Sequence, residues 1–385
     1  MANPFKPSAG STPPLLVGRG EVLDDFAAAL ADGAGAPGRL AFVTGARGVG
    51  KTVMLTKMGD IAHAEGWVVI DETATGGLID RLTRSVRAAR HETGVLDRPR
   101  TRGFSFGIAT LGTISKDYEL APADPHDLRI EIGRLLDSPI MADGGLLITV
   151  DEIHTIDTDE LEQLAAITQH LIREDRNIAL VMAGIPQAVD QLLADNAQRP
   201  RVSTFLRRAE MVVLGKVDEA DVADSFLQTA RDADRAWPAE IARECATATG
   251  GYPFMIQLVG YHTWRTEQGT EITNEHAQRG IAVARRKIGQ LVHAPALQDL
   301  SDVDKTILVA MAQDDGPSRS SDIAQRIGKN TSYVSVYKGR LERSGLIEVL
   351  PNGTLSFSTP ELREYLREHA AHYAMATTGP DEVAP

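Results

Sequence analysis

The hydrophobic pattern of this chain changes character twice. Up to about residue 216, short apolar runs rich in β-formers alternate with stretches whose apolar residues recur every three or four positions. The candidate strands are LAFVT (40–44), WVVID (67–71), LLITVD (146–151), IALVMAG (178–184) and EMVVL (210–214). Strands alternating with helices predict an α/β fold, a parallel sheet with helices on both faces. From 217 to 295 the strand signal stops and the spacing is almost wholly helical. Between 300 and 369 short helices lead into LIEVLPNGTLSFS, two β-rich runs around Asn352-Gly353, a hairpin signal. The expected divisions are 15–216, 217–295 and 296–372. A Pro/Ser/Gly-rich opening (1–14) and the segment after Tyr373 (373–385) read as loose ends.

Composition narrows the classes. A chain of 385 residues exceeds one ordinary core, and 43% hydrophobic residues support globular folding. The net charge of −13 excludes a surface that binds nucleic acid everywhere, so any such contact must come from local patches. A single cysteine, Cys245, cannot form an internal disulfide and reads as a small buried residue. The opening MANPFKPSAGSTPP has no apolar core of a signal peptide, and no later stretch is long enough to span a bilayer. The expectation is a cytoplasmic protein.

The densest chemistry lies in GARGVGKT (45–52), which fits the phosphate-binding pattern G-x-x-x-x-G-K-[ST]. It follows a candidate strand and precedes a candidate helix, the setting that such a loop needs. Gly45, Gly48 and Gly50, with Ala46, Arg47 and Val49 between them, let backbone N–H groups turn inward around phosphates. The helix start, through Val53, adds partial positive charge there. Lys51 is expected to reach the β- and γ-phosphates and Thr52 to hold Mg²⁺. About a hundred residues on, the apolar run LLITVD ends in two carboxylates. Asp151 is placed to hold Mg²⁺, and Glu152 to orient and deprotonate an attacking water. His154 is read as a loop residue or as a modulator of Glu152.

Four segments in this order, VGRGEVLDDF, GARGVGKT, TVDE and GGYPFMIQL, resemble the AAA+ P-loop ATPases. The branch they resemble is Orc1/Cdc6-like and STAND-like, of the AAA_16 type. The resemblance runs from about Leu15 to Val292, and a C-terminal winged helix extends it. It implies a sheet sandwiched by helices, an α-helical lid, ATP or ADP with Mg²⁺ between core and lid, and ATP hydrolysis. It further implies that Val17, Gly18 and Arg19 lie against the adenine, the alternative being a plain helix start. Tyr252 and Pro253 would pack on the nucleotide, the alternative being a local helix–helix turn. Arg207 and Arg208 are candidates for an arginine finger toward a neighbouring copy, or else a solvated basic helix end. Two departures from the family pattern imply slow hydrolysis. Ala183 and Gly184 stand where a polar sensor residue is usual, and Tyr-Pro stands where many relatives carry a sensor arginine.

Residues 300–370 read as a winged helix: DVDKTILVAMAQ, then SSDIAQRIG with Ser320 or Ser321 as N-cap, then NTSYVSVYKGRLERSG. On the third helix Val334, Tyr337 and Leu341 share a core face, and Lys338 lies near it. Lys329, Ser332, Ser335, Arg340 and Arg343 are candidate contacts to double-stranded DNA. The segment holds nine Lys/Arg against ten Asp/Glu, net −1, so a protein contact or autoinhibition is the competing reading. Self-assembly on ATP binding is a further expectation. RPRTRGFSFGIATLGTIS (98–115) reads as a projecting basic and aromatic hairpin, or as a strand folded onto the core.

Overall fold

A computed structural model describes residues 2–8, 13, 16–95, 125–142, 144–155, 158–194, 204–265, 271–298, 300–359 and 361–374. The 98–115 segment lies outside the described residues, as do Arg199 and Arg201. The chain packs as two compact units. One is Arg19–Gly45 with Gly50–Leu214, and the other is Met1–Gly18 with Ala46–Val49 and Gly215–Pro385.

The first unit is the predicted parallel sheet. Its strands are β1 (Leu40–Thr44), β2 (Val68–Thr73), β3 (Leu146–Asp151), β4 (Ile178–Gly184) and β5 (Glu210–Val213), in the order β2-β3-β4-β1-β5. β4 is buried at all seven positions, so both of its faces are covered. That is why its sequence is continuously apolar rather than alternating. The helices are α1 (Gly20–Ala31), α2 (Lys51–Ala64), α3 (Leu78–Val95), α4 (Pro125–Leu136), α5 (Thr158–Arg173) and α6 (Pro186–Leu193). Trp67, predicted to open the second strand, precedes it instead and lies buried beneath a cation. The Arg39 guanidinium stacks 4.8 Å from the Trp67 ring, donates to the carbonyls of Ala29 (2.7 Å) and Leu30, and meets Asn177. One buried arginine thus ties the end of α1 to the entry of β4.

The second unit opens with the helices α7 (Glu219–Asp232), α8 (Ala239–Thr249), α9 (Pro253–Trp264) and α10 (Asn274–Ile288). Of the opening expected to be loose, residues 2–8 are packed. Phe5 is 2% exposed and meets Phe226, Trp237 and Trp264 edge-on at 5.7, 6.1 and 6.0 Å. Asn3 donates to the Tyr261 carbonyl at 2.9 Å, and the Lys6 N–H donates to the Gln257 side chain at 3.1 Å. A single aromatic anchor overrides the Pro/Ser/Gly composition around it. Gly260 makes the room, since a Cβ there would lie 2.4 Å from the Phe5 ring.

α10 runs through a π turn (Gly289–His293) into α11 (Ala294–Gln298). The C-terminal module follows, with α12 (Asp302–Ala312), α13 (Ser320–Arg326) and α14 (Thr331–Arg343). The antiparallel strands β6 (Ile347–Val349) and β7 (Leu355–Phe357) come next, then α15 (Leu362–Glu368) and α16 (Ala370–Ala374). Asn352-Gly353 forms the hairpin turn, with Gly353 at φ 80°. The N-cap of α13 is Arg319, not Ser320 or Ser321, which lie in the first turn. Ser318 fixes that start by pairing its backbone with Leu355 in both directions at 2.8 Å, while its hydroxyl donates to Met311. Val334 and Leu341 are fully buried as predicted, whereas Tyr337 is half-buried. No described helix is long and apolar enough to cross a membrane.

Candidate functional site

The phosphate-binding motif occupies the predicted strand–loop–helix junction. Gly45, Gly48 and Gly50 all take positive φ, at 153°, 76° and 95°. Gly50 is the N-cap of α2, whose first residues are Lys51 and Thr52. The Lys51 side chain is buried and donates to the Gly45 carbonyl at 3.0 Å. Val49 is buried and Val53 half-buried.

The sheet brings the second half of the motif alongside. β4 lies between β1 and β3, so the ends of the loop strand and the acidic strand flank one position. The Thr52 hydroxyl donates to Asp151 Oδ2 at 2.5 Å across 99 residues of sequence. Asp151 Oδ1 in turn accepts the Glu152 N–H at 2.8 Å. Glu152 is left-handed, φ 58°, a conformation that is costly without glycine. Its carbonyl accepts the Thr155 N–H at 3.0 Å. Its carboxylate meets His154, Nδ1 to Oε2 at 3.1 Å. The end of β4 carries no polar side chain. Ala183 is buried, and a Cβ on Gly184 would sit 2.5 Å from Ile153 Cγ1. Gln187, in the first turn of α6, has a buried Oε1 without a hydrogen-bond partner, a feature that sequence reasoning missed.

Within the other unit, the middle of the loop meets Tyr252. That side chain is 1% exposed, and its hydroxyl donates to the Arg47 carbonyl at 2.6 Å. Burial pushes the hydroxyl pKa up, so it stays a donor. A Cβ at Gly48 would lie 1.9 Å from the Tyr252 oxygen, so position 48 requires glycine for contact as well as for φ. The tyrosine therefore packs on the loop backbone itself. Pro253 opens α9 as its first residue. Gly251 O accepts the Val217 N–H at 2.8 Å, and Val217 Cγ1 would lie 3.3 Å from a Cβ on Gly18. Gly18, with Val17 before it, thus shares this unit with Ala46, Arg47 and Tyr252. Arg19 belongs to the sheet unit, precedes α1, and has its pKa lowered by burial.

The remaining candidates are scattered. Arg207 and Arg208 are both exposed in the turn before β5, and Arg207 Nε donates to the Leu193 carbonyl at 2.9 Å. On the C-terminal module, Ser332 and Ser335 are exposed, the Ser335 hydroxyl donating to Thr331 at 3.0 Å. Lys329 lies 5.7 Å from the Tyr333 ring. Arg340 is engaged within the module. Its Nε donates to Asp304 Oδ1 at 3.0 Å, its other nitrogens reach Asp304 and Ser301, and it stacks 5.0 Å from Tyr337. The side chain of Arg343 lies outside the described residues. Val336, which sequence reasoning passed over, is 73% exposed on the same helix. Among the described residues no cluster of three or more His, Cys, Asp or Glu could hold a metal ion.

Residues 15–181 match the family described as "AAA ATPase domain" (AAA_16), and residues 290–366 match a domain of unknown function (DUF8462). No curated protein matches the chain. Its fold is similar to that of the Walker-type ATPase Paby2304 of Pyrococcus abyssi, with TM-score 0.63 and 16% identity, over 91% of this chain and 96% of that one. It is also similar to Cdc6p from Pyrobaculum aerophilum, with TM-score 0.50 and 17% identity, over 96% of this chain and 98% of that one. At such identities the likeness is one of fold. The motif order and the strand order agree with the family match, and the 15–181 region is similar to the AAA ATPase domains of the AAA_16 type.

Proposed function

We propose that this chain is an ATP-binding, slowly hydrolysing switch whose nucleotide state governs DNA binding through a C-terminal winged helix. The observation that supports it most is the 2.5 Å approach of Thr52 to Asp151, two residues that sequence separates by 99 positions. A hydroxyl and a carboxylate are hard oxygen donors, the kind that Mg²⁺ takes. Mg²⁺ held by Thr52 and Asp151 would supply charge neutralisation for the phosphates of ATP or ADP. The N–H groups of residues 45–52 and the ammonium of Lys51 would bind the phosphate chain. Glu152 would take the proton of the attacking water. Val17, Gly18 and Arg19 would contact the base, and Tyr252 with Pro253 would carry its presence into the helical region. Slow turnover follows from the apolar end of β4, where Ala183 and Gly184 offer the γ-phosphate no hydrogen bond. Exposed Arg207 and Arg208 suit contact with a second copy of the chain.

On the C-terminal module the proposed DNA contacts are Lys329, Ser332 and Ser335, with exposed Val336 on the same helix, and Arg343 by its place in the sequence. Arg340 is left out because Asp304 holds it. That engagement, with the net charge of −1, favours a second reading in which the module contacts a protein and the chain is a signalling ATPase.

The test is a DNA-shift assay at two salt concentrations, with ATP and with ADP. Retention that falls with salt at a log–log slope of about −0.9 per neutralised phosphate, and that differs between nucleotides, supports the switch. No retention at low salt removes DNA and leaves the protein partner.

A further inference from the structure

We propose that His154 is a positioning residue for ATP hydrolysis: it holds Glu152 through Oε2 and leaves Oε1 for the attacking water. The proposal rests on the ATPase reading above and deepens it.

The argument begins at Gly184. A side chain there would collide with Ile153, whose Cγ1 lies 2.5 Å from the position of a Cβ. Ile153 is buried, and it anchors the short helical turn Ile153–Thr155 against the end of β4. The glycine is thus more than a missing polar residue, because the room it leaves is filled by the turn that carries His154. The same turn is fixed at its other end by Thr155, whose N–H donates to the Glu152 carbonyl at 3.0 Å and whose hydroxyl donates to the Ala74 carbonyl. The two anchors fix the chain on either side of His154, whose side chain is 16% exposed against 43% for Glu152.

An exposed glutamate with three rotatable bonds does not hold one orientation by itself. Catalytic bases are commonly aimed by a third group, and here His154 Nδ1 lies 3.1 Å from Oε2, within hydrogen-bond reach though not aligned as a hydrogen bond in this structure. In the arrangement assigned, Nδ1 carries the hydrogen, and a small rotation of the two side chains brings it into line with Oε2, 3.1 Å away. Oε1 then accepts the proton of a water whose oxygen forms the new bond to the γ-phosphorus. The bond from that phosphorus to the bridging oxygen breaks, ADP leaves with its electron pair, and the proton on Glu152 passes to solvent. His154 keeps its hydrogen throughout and never touches the substrate.

The experiment uses the full chain with Mg²⁺ and ATP and compares wild type, His154→Ala, His154→Asn, Glu152→Gln and Lys51→Ala. It measures kcat by phosphate release and Kd by displacement of a fluorescent ATP analogue. His154→Ala should lower kcat about tenfold or more, within the range of general-base effects, and leave Kd within about twofold. His154→Asn, whose amide nitrogen can stand where Nδ1 does, should recover most of the loss. In a Glu152→Gln background, His154→Ala should change nothing further. Unchanged kcat in His154→Ala, or equal losses in the Ala and Asn variants, would overturn the proposal while leaving the ATPase reading standing. A wild type without turnover that depends on Lys51 would overturn both.

Discussion

Gly260 offers a test in which the sign of one substitution depends on a residue 255 positions away. It lies inside α9, where alanine in place of glycine ordinarily gains about 1 kcal/mol. Here a methyl at 260 would sit 2.4 Å from the Phe5 ring, and overpacking of that kind typically costs about 1–3 kcal/mol. Gly260→Ala should therefore destabilise the wild-type chain. Phe5→Ala deletes a ring that is 2% exposed, and such core truncations cost about 3–5 kcal/mol. Its strap is otherwise held by two side-chain hydrogen bonds, from Asn3 and to Gln257, so the low end, about 3 kcal/mol, is expected. In the Phe5→Ala background the clash is gone, and Gly260→Ala should stabilise by about 1 kcal/mol. The assay is urea denaturation followed by tryptophan fluorescence, since Trp237 and Trp264 line the cluster. A Gly260→Ala effect of the same sign and size in both backgrounds would refute the buried strap and restore the loose tail that composition suggests.

Other outcomes follow from the same geometry. Gly48→Ala should abolish ATP binding in a nucleotide-displacement assay, because its methyl would meet the Tyr252 oxygen and its backbone holds φ 76°. Arg340→Ala should lower the melting temperature by exposing the demand of buried Asp304 for a partner, whereas Ser332→Ala and Ser335→Ala should leave it unchanged. Those two serine changes should act on DNA retention alone. Burial pushes the Asp71 carboxyl above its ordinary range, against a hydrogen bond from Thr149 at 2.6 Å. A pKa raised on folding adds stability at low pH that is lost as pH rises through the folded value. Asp71→Asn should therefore gain on the wild type as pH climbs from the ordinary carboxylate range toward neutrality, read by urea midpoints at each pH.

What the sequence disclosed depended on how local each cause was. The loop 45–52 was legible because its chemistry demands glycines, a lysine and a threonine at fixed spacing, and a strand and helix must flank it. An acidic pair ending a strand is common by itself; the end of β3 was legible because it follows the phosphate-binding pattern by about a hundred residues. Strands β1, β3 and β4 were read to the residue, since central parallel strands are apolar on both faces. Phe5 was not legible, because one aromatic among prolines and serines has no periodicity. Neither was the engagement of Arg340, because Asp304 lies 36 residues away and looks like an ordinary first-turn acid. The vacancy at Gly184 was seen, but its cause was not, since that cause is a through-space contact with Ile153. The exposure of Val336 was legible in principle, since it lies off the face that Val334, Tyr337 and Leu341 share, but it carries no polar group to draw the eye.

The grouping of residues 46–49 with the second unit bears on how a nucleotide signal would travel. A ligand shifts a conformational equilibrium only by binding its states unequally, so the loop that meets phosphate must itself contact the element that moves. Here Tyr252 donates to the Arg47 carbonyl, and the next residue opens α9. α9 packs on α10, which continues through the π turn into α11 and the C-terminal module. At that turn a Cβ on Gly289 would lie 2.8 Å from the Tyr365 ring, so the helix and α15 are in close contact. Every step of this route lies inside one compact unit. Tyr252→Phe removes the single hydrogen bond at its start, worth about 1 kcal/mol, and leaves the ring packing in place. If this route carries the signal, that variant should still bind ATP but lose most of the difference in DNA retention between ATP and ADP. An undiminished difference would exclude the tyrosine as the point of entry.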